Sequence, residues 1–154
     1  MVKRLSEMPE VEANHLRRIE CPIYEDTPPL AGKPLGERRV AIISTAGLHR
    51  RSDRAFRPGD GSYRVIPGET PANELVMSHI SVNFDRTGFQ QDLNVVFPID
   101  RLRELSADGA VGSMASVHYS FMGAFPPDAA KPHAQHLAGL LKADKVDAVL
   151  LVPV

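Results

Sequence analysis

Three histidines stand beside apolar runs that read as strands. His49 follows the run from Val40 to Thr45, His79 follows Val76-Met77-Ser78, and His118 precedes Tyr119-Ser120-Phe121. Imidazole changes charge near neutral pH, and beside a carboxylate such as Asp85 it can move a proton or bind a metal. That chemistry requires the fold to bring the groups together. The plainer reading leaves each histidine in a loop, giving one ring hydrogen to a carbonyl. His133 and His136 lie about one helical turn apart, and an exposed helix face suits them better than a metal edge. His15 is discounted.

The arginines offer a second chemistry. Arg50, Arg51, Arg54 and Arg57 crowd one turn-rich loop, and guanidinium forks grip carboxylates and phosphates bidentately. A solvated loop with Asp53 and Asp60 as local partners explains them equally well. Arg64 falls in mid-strand, so it either faces solvent or is paired within a cleft. Cys21 is the single cysteine. Arg17 and Arg18 nearby can lower its pKa, but beside Pro22 it reads as an inert thiol.

Generic motifs are missing. There is no HExxH, CxxC or GxSxG, and Gly59-Asp60-Gly61 lacks both the third glycine and the strand-to-helix setting of a phosphate loop. With 18 Lys and Arg against 19 Asp and Glu, the net charge of −1 argues against nucleic-acid and anionic-membrane partners. One cysteine excludes an internal disulfide and fits a reducing compartment, so the cytoplasm is expected. No run approaches the roughly 18 apolar residues of a membrane span, and the charged start lacks a signal-peptide core.

The elements that must position these residues describe an α/β fold. Expected are a mostly parallel sheet of about five strands near 39–45, 63–67, 75–80, 94–97 and 146–153, and flanking helices. A strand near 115–121 is a candidate to join it. Helices are expected over 10–19, from Ile99 to about Ser106, and from Asp128 to about Ala143, with Pro132 in its first turn. Four prolines among residues 21–34 suggest an extended arm. The division is therefore 1–36, helix and proline-rich arm, and 37–154, α/β domain. The run from Val146 to Val154 has no polar alternation, as a strand covered on both faces requires. Open α/β sheets bind ligands just beyond the carboxyl ends of such strands.

Several blocks in order carry a resemblance. Val40-Ala41-Ile42-Ile43-Ser44-Thr45-Ala46-Gly47-Leu48-His49, Ser62-Tyr63-Arg64-Val65-Ile66-Pro67-Gly68, Asn94-Val95-Val96-Phe97-Pro98-Ile99-Asp100-Arg101-Leu102, His118-Tyr119-Ser120-Phe121-Met122-Gly123 and Asp147-Ala148-Val149-Leu150-Leu151-Val152-Pro153-Val154 resemble the selenoprotein B family of glycine, sarcosine, betaine and D-proline reductases. The resemblance spans residues 40–154 and is weaker over the first 35.

The resemblance implies reductive cleavage of a carbon–nitrogen bond in a small amine or amino-acid substrate, with thiol or selenol electron donors and a pyruvoyl-type partner subunit. A selenol is largely ionised at neutral pH, whereas a thiol of pKa about 8.5 is mostly protonated. On this reading His49, His79, Asp85 and His118 line the catalytic side, and Arg54, Arg64, Tyr119 and Ser120 contact substrate. No metal or other cofactor is expected in this chain. The family's selenocysteine or cysteine is expected downstream of Val154, so the chain reads as an amino-terminal fragment ended at a UGA codon and inactive alone. Uncovered sheet edges suggest a homo-oligomer. A non-catalytic domain binding a small molecule or subunit is the alternative, and a histidine-based metal hydrolase is a distant third.

Overall fold

A computed structural model describes residues 4–20, 23, 30–81 and 85–154. Cys21 and most of the proline-rich arm lie outside them. The strands are β1 (Arg39–Ser44), β2 (Leu48–Arg50), β3 (Tyr63–Pro67), β4 (Leu75–Met77), β5 (Ser113–Met114), β6 (Val117–Phe121) and β7 (Ala148–Val152). The helices are α1 (Glu10–Arg17), α2 (Thr87–Gln91), α3 (Ile99–Ala107) and α4 (Pro127–Ala143).

β1 is the centre of the main sheet. β7 pairs with it in parallel from Val40↔Ala148 to Ser44↔Val152, while β5 and β6 pair with it in parallel, from Arg39↔Ser113 to Ser44↔Ser120. β3 then joins β6 in antiparallel register, Tyr63↔Phe121 to Pro67↔Val117. The expected mostly parallel sheet is present, with β3 as its antiparallel member. β2 and β4 form a separate antiparallel ribbon, so the run near 75–80 is a strand only from Leu75 to Met77 and lies outside the main sheet.

The two faces of β1 divide the core. Val40 and Ile42 join Leu48, Ile66, Val96, Phe97, Ile99, Leu102 and Val111 on one side. On the other, Ile43 packs with Tyr119, Phe121 and Leu137 beneath α4. Ile42, Leu48, Ile66 and Phe97 are almost wholly buried, and each such side chain contributes roughly 1.5–3 kcal/mol over its exposed state.

Three further expectations are corrected. Residues 94–97 are not a strand: Leu93–Val95 is a single 3-10 turn. The cause is local hydrogen bonding. The Asp92 carboxylate accepts from Asn94 N–H (2.9 Å), and the Asn94 side chain clamps Asp100, accepting from its N–H at 3.0 Å and donating to its carboxylate at 3.1 Å. Asx side chains that bind nearby backbone compete with a ladder, and the turn drives Val96 and Phe97 into the core as a wedge. Second, β7 is not covered on both faces. It pairs with β1 alone among the described residues, and Val149, Leu150 and Leu151 are exposed. In α4, Pro132 lies beyond the first turn and Asp128 within it, because the helix begins at Pro127.

Candidate functional site at the strand carboxyl ends

The carboxyl ends of β1, β6 and β7 meet at one place. Thr45 N–H donates to the Val152 carbonyl (3.1 Å), and the Thr45 hydroxyl accepts from Val154 N–H (2.8 Å). Gly47 N–H donates to the Phe121 carbonyl (2.7 Å), and Ser78 N–H donates to the Gly47 carbonyl (3.0 Å), which draws the end of β4 onto the strand ends. Gly47 has φ +68°, and a Cβ there would stand 2.9 Å from His79 N. Only glycine combines that dihedral with so close a backbone approach.

His79 occupies this junction. It is buried, its Nδ1 accepts from Ser81 N–H (3.2 Å), and the Arg86 guanidinium donates to its carbonyl. A neutral ring whose Nδ1 accepts carries its proton on Nε2. That nitrogen faces Gly123, where a Cβ would stand 3.2 Å from it and 2.7 Å from the Thr45 carbonyl. Burial, then the Arg86 charge, pushes the His79 pKa below its ordinary value. His79 is thus a buried, neutral ring at the strand ends.

His118 lies elsewhere. Between β5 and β6 the chain bulges away from β1, and the imidazole fills the gap: Ile42 N–H donates to His118 Nδ1 (2.9 Å) in place of a backbone carbonyl. The ring is 0% exposed and meets Phe97 edge to face at 5.9 Å. Burial, reinforced by the Arg103 charge, lowers its pKa to about 4. Tyr119 and Ser120 are buried beside it. Tyr119 packs edge to face on Tyr63 (5.5 Å), and the Ser120 hydroxyl accepts from Leu48 N–H (2.9 Å) while donating to the Phe121 carbonyl (3.2 Å).

The other predicted residues separate as well. His49 sits on β2 against Phe56, its Nδ1 donating to the Arg50 carbonyl (2.8 Å). Asp85 is exposed just before α2, where hydrogen bonds from the Thr87 side chain and from Thr87 N–H (2.9 Å) hold its carboxyl below the usual value. The Arg54 side chain is exposed, and its carbonyl accepts from Arg64 Nε at 2.8 Å. Arg64 itself is fully engaged. Its remaining donors go to Ser62 Oγ, the carbonyls of Tyr63 and Ala55, and Asp60, and its guanidinium stacks on Phe56 at 4.1 Å. All five N–H groups of a guanidinium are then used. Arg50 pairs with Asp53 as expected, whereas Asp60 serves Arg64. Of the three histidines, one stands at the strand ends, one inside the sheet and one on the ribbon.

Beyond Gly123 an open cleft of about 840 Å³ runs between α1 and the β6–α4 connection, lined among others by His15, Glu20, Ser81, Gly123 and Phe125. Its position past the carboxyl ends is where an open α/β sheet binds ligands. Thr45, Gly123 and Glu20 escaped prediction as site residues, and His15 was set aside. The available signal was a glycine directly after each apolar run, at Gly47 and Gly123. Among the described residues no group of three or more His, Cys, Asp or Glu is placed to hold a metal, and no helix is long and apolar enough to cross a membrane.

Fold and site together describe an α/β domain whose parallel strands deliver their carboxyl ends to a histidine-bearing junction. Residues 61–154 match the family described as glycine/sarcosine/betaine reductase selenoprotein B, and the chain belongs to that family. It is 35% identical over 144 residues to the D-proline reductase subunit gamma of Acetoanaerobium sticklandii, a match covering 88% of this chain and 59% of that one. It is 28% identical over 146 residues to the glycine reductase complex component B subunit gamma of Carboxydothermus hydrogenoformans, covering 90% and 33% respectively. A sarcosine reductase complex component B subunit beta of Peptoclostridium acidaminophilum is 28% identical over 136 residues, covering 84% and 31%. The chain thus spans about three fifths of the first relative and about one third of the other two. No solved structure matches it.

Proposed function

We propose that this chain forms the substrate-facing part of a reductase component that cleaves the carbon–nitrogen bond of a small amine such as glycine, sarcosine, betaine or D-proline. The observation that carries this reading is the open cleft past Gly123, at the carboxyl ends of three parallel strands, in a chain of this family. In the overall reaction a thiol–thiol or selenol–thiol pair is oxidised to its S–S or Se–S form. Its two electrons and two protons break the C–N bond, leaving a C–H on carbon and an N–H on nitrogen. The selenol or thiol is supplied by polypeptide beyond Val154, next to the peptide that Thr45 holds, and a pyruvoyl-type subunit completes the complex.

In this reaction the buried, neutral His79 is a positioning residue that sets Gly47 and Gly123 at the inner end of the cleft, and the substrate is met by the cleft lining. The cleft supplies the rest of the recognition. The Glu20 carboxylate complements an ammonium, and the Phe125 ring offers a face to its cationic end.

The test is chemical-shift mapping of the chain with glycine, sarcosine, betaine and D-proline. The reading predicts that at least one of them moves the resonances of His79, Gly123 and Phe125 together, and that His79→Gln weakens binding about 10-fold. Saturation without any shift at these residues would overturn it.

A further inference from the structure

The outer edge of β7 is an unused half of the sheet. The Val152 carbonyl turns toward β1, where it accepts from Thr45 N–H. By the alternation along a strand, Val149 and Leu151 turn their N–H and C=O groups outward. No described strand meets them. Both faces are bare as well: Leu150 is 42% exposed on the Ile42 side, and Val149 and Leu151 are 39% and 67% exposed on the α4 side. Beside Leu151 an apolar groove of about 300 Å³ runs along α4, with Ile43 on its floor and Ala134, Ala138 and Leu141 on its wall.

We propose that this edge and groove seat a further strand-and-helix unit, the counterpart of the part of D-proline reductase subunit gamma that the match leaves out. The strand adds in parallel to β7, and the helix lays an apolar stripe over Leu151 and the groove. Parallel strands in α/β proteins are covered on both faces, and a polypeptide equal to about two fifths of that relative lies outside the match. A second copy of this chain fits less well. Twofold pairing of β7 with itself would satisfy the outward backbone groups but bring a covering layer to neither face. The proposal rests on family membership and on the shape of the edge, and stands apart from the role given to His79.

The experiment co-expresses the 154-residue chain with the unmatched portion of the Acetoanaerobium sticklandii subunit. Light scattering and amide hydrogen exchange read the result. A one-to-one complex is expected, with exchange at Val149 and Leu151 slowed at least 10-fold. Leu151→Lys should weaken that complex at least 10-fold while leaving the unfolding midpoint of the chain alone unchanged. Absence of a complex overturns the proposal. So does a complex indifferent to Leu151→Lys, or a chain that alone forms a dimer with these amides already protected.

Discussion

His118 Nδ1 stands 2.9 Å from the backbone nitrogen of Ile42 and takes the hydrogen bond that a neighbouring strand would otherwise accept. A side chain thereby completes the ladder across the bulge between β5 and β6. Nδ1 must be unprotonated to accept, so the arrangement holds only while the ring is neutral.

That relationship sets a pH dependence. His118 has its pKa lowered from 6.5 to about 4 on folding. Its contribution is therefore fully present above about pH 6.5 and is lost as pH falls toward about 4, because the unfolded chain binds the proton first. Between pH 7 and pH 5 this amounts to roughly 2 kcal/mol of stability. His118→Asn keeps an acceptor for Ile42 and removes the titration. Urea unfolding at the two pH values should show a variant less stable at pH 7 but with its pH-dependent loss reduced by about that amount. An undiminished loss would place the titrating group elsewhere.

Arg64 is a staple for the loop before β3. It ties Arg54, Ala55 and Asp60 to the strand and covers Phe56. Arg64→Ala should cost about 2–3 kcal/mol, because several bonds to a charged, partly buried group are lost and Asp60 loses its partner. Arg64→Lys should recover less than half, since an ammonium cannot reproduce the fork. Denaturant midpoints decide this, and a loss below about 0.5 kcal/mol for Arg64→Ala would contradict the assigned role.

Gly123 holds the space that His79 needs. Its φ is +85°, and an added Cβ would fall 2.7 Å from the Thr45 carbonyl. Gly123→Ala should destabilise the chain by about 1–3 kcal/mol and shift the His79 ring resonances more than those of His118. Equal and small shifts at both rings would show that Gly123 does not set the position of His79.

Much of the fold was legible because it followed from apolar periodicity. β1, β3, β6, α1, α3 and α4 fall where their patterns predict. Residues 94–97 deceived because Val95, Val96 and Phe97 look like a strand, while the deciding contacts run from Asp92 to Asn94 and from Asn94 to Asp100. Composition made β7 look central, yet burial depends on what lies beside a strand, and a run of valine and leucine does not carry that information. At the site, His79 was legible as a histidine after a strand. Its distinction from His49 and His118 was not, because it arises from tertiary contacts with Gly47, Ser81 and Gly123.

Gly47 also has a mechanical consequence. The β2–β4 ribbon follows β1 in the chain but hangs from β6, through Gly47 on Phe121 and Leu48 on Ser120. His79, at the same end of that ribbon as Gly47, lies against Gly123 just past β6. A displacement at the end of β6 therefore meets His79 on two sides, through Gly47 and through Gly123.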